Sequence, residues 1–206
     1  MLHLPPPDPA FEVSIASQGV SKGLRQTEDA QFLVRGEVAV GHVFAGLLWK
    51  NIDSAMAAGE GQSFVGYRTR AGGFDLAGTV GYHIQTGAIG HFDDDRFEFN
   101  VTASRGVGPV TPRISVTYSP DDFGGTGESL YAEAGAAVGL FPRATFSANV
   151  SRRERDGAPD YTAFNAGIGY SFARHVSVDV RYYDTAQSAL GAIYEPRVVA
   201  VLRARF

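Results

Sequence analysis

The chain has 206 residues, no cysteine and a net charge of −4. This excludes a disulfide framework and a thiolate-held metal, and no basic tract beyond the short RRER at 152–155 is present to bind nucleic acid. Only 19% of the residues are charged while 25 are glycine, a balance that disfavours a helical soluble protein and favours β structure, with no cofactor or metal motif expected.

The N-terminus, MLHLPPPDPA, lacks a basic n-region, an apolar h-region and a small-residue cleavage site. It reads as a Pro-rich extended leader over residues 1–10, ahead of a single domain over 11–206. For an exported protein, the expectation is that a signal peptide has been removed or replaced. No run of about 18 apolar residues follows, which excludes a transmembrane helix but not a membrane barrel, whose strands need only alternate.

Alternation begins with Phe32, Val34, Val38 and Val40 opposing Gln31, Arg35 and Glu37. It recurs in Phe74–Gln85, Phe97–Ser104, Val110–Tyr118, Thr145–Val150 and Val176–Tyr182, each run having one oily and one polar face. With turns placed between the runs, about twelve strands are predicted, near 11–19, 31–40, 42–50, 62–71, 74–84, 96–105, 110–119, 129–140, 143–152, 161–172, 175–183 and 197–206. Short connections at Gly41, Gly72–Gly73, Gly106–Pro109, Phe141–Pro142 and Ala173–Arg174 alternate strictly with long polar ones such as SKGLRQTEDA, IDSAMAAGEG and TGAIGHFDDD. The pattern predicts an all-β, transmembrane, antiparallel up-and-down barrel with short periplasmic turns and longer extracellular loops. A soluble barrel of lipocalin type needs about eight strands, and twelve combs of Ala, Val and Gly would leave voids in an apolar interior. Turned outward to lipid, the same combs leave polar faces lining a lumen.

The polar faces place Arg35, Glu37, Arg68, Arg70, Asp75, Glu98, Arg113, Glu133, Asp179, Arg181, Arg203 and Arg205 as pore-lining candidates. Two functions from different classes follow. One is passive passage of small polar solutes or ions with a mild anion preference. The other is an occluded structural or binding barrel in which these charges pair internally. No loop is long enough for a large folded plug, although the leader has the reach to enter the lumen. Of the histidines His3, His42, His83, His91 and His175, only His91, in HFDDD at 91–95, stands beside a run of carboxylates; an acidic solvated loop explains it without catalysis, and no enzyme is expected. The last ten residues, RVVAVLRARF, put Val198, Ala200, Leu202, Ala204 and Phe206 on one side and Arg197, Arg203 and Arg205 on the other.

Taken in order, SQGVSKGLRQT, GLLWKNID, VGYR, GPVTPRISVTYSPDDFG, DYTAFNAGIGYSF, YYDT and the closing RVVAVLRARF resemble the TorF family, outer-membrane proteins of Gram-negative bacteria proposed to be porins. The resemblance covers nearly the whole chain. It implies an outer-membrane barrel in contact with lipid, passing small polar solutes. It also implies that the final strand, through Leu202, Ala204 and Phe206, is the signal read by the barrel-assembly machinery. The Pro-rich leader falls outside the family's pattern.

Overall fold

A computed structural model describes residues 5–54, 57–87 and 94–206. Its strands are β1 (Asp8–Ala16), β2 (Val20–Ser21), β3 (Leu24–Arg25), β4 (Gln31–Val40), β5 (Val43–Asn51), β6 (Gly59–Ala71), β7 (Phe74–Thr86), β8 (Asp95–Ser104), β9 (Val110–Ser119), β10 (Ser129–Phe141), β11 (Ala144–Arg155), β12 (Tyr161–Ser171), β13 (Val176–Asp184) and β14 (Arg197–Arg205). Twelve of them close an antiparallel barrel in chain order, and β2 with β3 forms a separate hairpin inside the connection between β1 and β4. The expected architecture and strand number are found.

Closure is made by the two ends of the chain. β1 pairs β4 on one side and β14 on the other. The Phe11 and Phe206 backbones then exchange N–H···O bonds of 2.9 and 2.8 Å. The last residue is thus tied into the ladder, and its ring stacks on His175 at 6.0 Å. β1 starts at Asp8, inside the segment expected to be leader. Pro9 is tolerated there because the C-terminal end of the chain reaches β1 from Phe11 onward, so a residue without an N–H leaves no ladder bond unmade on that side.

Turns sit where the backbone demands them. Gly41 has φ 61°, while Gly72 and Gly73 have 59° and 79°, left-handed values that glycine adopts without a Cβ penalty. The short turns share one end of the barrel with the start of β1 and the end of β14, and the long connections share the other.

The combs point outward. Leu47, Val101 and Val198 leave 66%, 63% and 61% of their surface uncovered, a degree of exposure that an apolar face in water does not sustain over a whole wall. Aromatic side chains gather at both ends of this wall: Phe11, Tyr67, Phe74, Phe141 and Phe206 toward the tight end, and Phe32, Trp49, Phe97, Phe164 and Tyr182 toward the long connections. Between them lie Val34, Val65, Val101, Ile114 and Val180. Two rings flanking an aliphatic band is the outer face of a membrane barrel. Among the described residues no helix is long and apolar enough to cross a membrane.

Candidate functional site

The other face of every strand turns into the barrel, and its side chains pair in three tiers. At the tight end, Arg35 Nη2 meets Glu37 Oε2 at 2.7 Å, and Arg68 binds the other oxygen of the same carboxylate. Arg203 and Arg205 hold the two oxygens of Glu12 at 3.0 and 2.6 Å. Arg35 and Arg68 also lie over the rings of Phe64 and Phe44, at 4.5 and 4.3 Å. A cavity of about 340 Å³ opens among Glu12, Arg35, Glu37, Arg68 and Arg205. Arg70 and Asp75 pair at 2.7 Å and are well exposed.

In the middle tier Arg181 bridges Asp179 (3.1 Å), Asn165 (2.8 Å) and Ser147 (2.7 Å). Asn100 donates to Ser115 and Thr117, and Arg113 stands 3.4 Å from Glu133, whose second oxygen accepts from Tyr131 Oη at 2.9 Å. These contacts run from strand to strand along the wall.

The third tier fills the long-loop end and its side chains are largely buried. Glu98 binds Lys22, lies 2.9 Å from Arg96, and stands 3.4 Å from His83 Nε2. His83 Nδ1 is 3.0 Å from Glu60, which also faces Lys50 at 3.3 Å. Asp122, from the connection between β9 and β10, joins Arg96 to Arg153. Burial alone would raise the Asp122 carboxyl, but the guanidiniums of Arg96 and Arg153 outweigh it and hold the group well below the ordinary carboxylate range. Lys22 behaves oppositely. Burial lowers its ammonium from 10.5 to about 8, Arg96 and Arg153 act in the same direction, and Glu98 opposes them.

All twelve residues expected to line the interior lie on inward faces, yet eleven are drawn into carboxylate–guanidinium pairs within their own tier, while Glu98 belongs to the mouth network. Leu202 and Phe206 are on the outward comb, and Ala204 shares it between them. Alternation did not single out Glu12, Lys50 and Arg96, although the period of two puts each on the correct side, and it placed His83 on a polar face without a partner. Glu60 and Arg153 fell in predicted connections because β6 begins earlier and β11 ends later than expected. Lys22 and Asp122 sit in connections, where no period marks direction. His3 and His91 of the histidine set, with most of HFDDD, lie outside the described residues. Among the described residues no cluster of His, Asp and Glu is arranged to hold a metal ion.

The family model described as "Bacterial protein of unknown function (Gcw_chp)" matches residues 6–204, so the chain belongs to the Gcw_chp family. No curated protein matches by sequence. Among solved structures, the NanC porin superposes with a TM-score of 0.65 at 10% identity, over 95% of this chain and 98% of that one. A KdgM porin in complex with disordered oligogalacturonate gives 0.66 at 5% identity, over 96% and 98%. The COG4313 outer membrane channel from Pseudomonas putida F1 gives 0.57 at 11% identity, over 96% and 94%. At these identities the likeness is one of fold: the chain has the barrel of outer-membrane porins and channels.

Proposed function

We propose that this member of the Gcw_chp family sits in the bacterial outer membrane as a narrow porin-like barrel passing small polar solutes, with a mild preference for anions. The observation that carries the reading is the charge at the tight end, where four guanidiniums, of Arg35, Arg68, Arg203 and Arg205, share the two carboxylates of Glu12 and Glu37. In a low-dielectric wall such an excess is felt by a passing ion. The resemblance to the TorF family of porins agrees with passage, and the KdgM complex with oligogalacturonate, a polyanion, supports trying anionic solutes first. The outward aromatic rings would meet the lipid interfaces, and the terminal strand with Phe206 would be read by the barrel-assembly machinery. No catalytic step is assigned to the interior.

The test is the reversal potential of the refolded protein in a planar bilayer across a salt gradient. Anion preference is expected, reduced when Arg68 is changed to Gln and weaker at high salt, because screening shortens the reach of these charges. Cation preference, or selectivity indifferent to Arg68, would sink the reading. The occluded alternative is favoured by one observation, the buried charge network at the long-loop end, and total silence in the bilayer would select it.

A further inference from the structure

The β2–β3 hairpin leaves the ring between β1 and β4 and does not stay at that seam. Lys22 at its turn binds Glu98 on β8, which is reached from β4 only by passing β5, β6 and β7. The carbonyl of the same residue accepts a 2.7 Å bond from Tyr161 Oη on β12, reached from β1 by passing β14 and β13. The tip therefore touches two separate walls on the far side of the barrel.

Its seat is shaped for it. Leu24 is buried with Tyr161, Ala163 and Tyr194, and Tyr194 crosses Tyr161 edge-on at 5.6 Å. Gly23 has φ 86°, and a Cβ there would stand 2.5 Å from that of Ala163, so the backbone is pressed directly on β12. At the root, Thr27 and Gly19 tie the two arms together, with Gly19 N donating to Thr27 Oγ1 at 2.6 Å.

We propose that this hairpin is an internal plug of the barrel mouth, seated by the Lys22–Glu98 ion pair and the Leu24 contacts, and that its displacement sets how much the barrel conducts. The conductance part rests on the porin reading; the seating does not. A two-residue strand pair, one ion pair, the Tyr161 bond and the Leu24 contacts hold the tip, whereas the wall behind it is a continuous hydrogen-bonded ladder, so the tip is the part that can move without opening the barrel.

Two measurements on the full chain separate the ideas. The protein has no cysteine, so Leu24→Cys supplies a single thiol. In the folded barrel it should react with a charged maleimide at least about tenfold more slowly than when Glu98→Gln is added, which leaves the Lys22 ammonium buried without its carboxylate; the factor is equivalent to one decade in seating equilibrium. Tyr161→Phe, which removes the bond to the Lys22 carbonyl together with the hydroxyl's contact with Arg153, should give a smaller acceleration and serves if Glu98→Gln lowers the yield of folded barrel. Equal rates in all backgrounds overturn the plug. In planar bilayers, replacing residues 20–25 by a short Gly-Ser turn should raise single-channel conductance several-fold. Unchanged conductance in a conducting barrel also overturns it. If wild type and the hairpin-deleted barrel are both silent, the porin reading fails, and the maleimide rates alone decide the seating.

Discussion

At the scale of single residues, the informative side chains are those whose environment contradicts their chemistry. Lys22 is an ammonium carried out of water on a loop. It holds its proton less tightly there than a solvated lysine does, because burial disfavours the charged form more than Glu98 favours it. A hairpin displaced into water has the ordinary lysine affinity for a proton, and the seated hairpin has a lower one. Raising the pH from about 7 through 8 toward 9.5 therefore favours the seated form, and lowering it removes that advantage. The facing groups Glu60, Glu98 and Asp122 supply negative charge, and Arg96, Arg153 and Lys50 supply positive charge. Mean current through the barrel at fixed voltage should fall between about pH 7 and pH 9.5, and the fall should vanish with Lys22→Gln. An increase over that range would contradict the direction argued for Lys22.

At the scale of elements, the β5–β6 pair shows how the interior accommodates large rings. Phe44 lies opposite Gly66, and Gly46 opposite Phe64, so each ring folds over the glycine of the neighbouring strand. The fit is close: a Cβ on Gly46 would stand 2.3 Å from the Gly36 carbonyl oxygen and 2.5 Å from the Phe64 ring. The guanidinium of Arg35 rests on Phe64, so displacing this ring would also disturb Arg35. Gly46→Val should cost about 1–3 kcal/mol through overpacking, seen as a lower temperature for loss of the compact, unboiled gel band. Gly36→Val, on the outward face with open space around it, should leave that temperature unchanged. The glycines of both strands are plain in the sequence, but pairing them with Phe44 and Phe64 required the register.

For the whole molecule, the outward combs and the closed ladder set the solvent. A barrel with this wall should refold only in detergent or lipid and change its gel mobility on boiling, since its backbone groups are satisfied by a ladder without edges. A monodisperse β-rich protein in plain buffer would count decisively against lipid contact of the wall. The sequence alone determined the twelve strands, the two unlike ends and the inward face of residues such as Arg35 and Arg181, because a period of two and a turn are local properties of the chain. It also placed Leu202 and Phe206 on one comb, which the closure through Phe11 leaves outward. The tertiary structure decided how inward charges are shared and where the β2–β3 hairpin goes. Lys22 meets Glu98 across 76 positions of chain, and Tyr161 meets the Lys22 carbonyl across 139. Such contacts depend on the ring's curvature and on a loop's path through it, and neither leaves a periodic trace in the residues that make them.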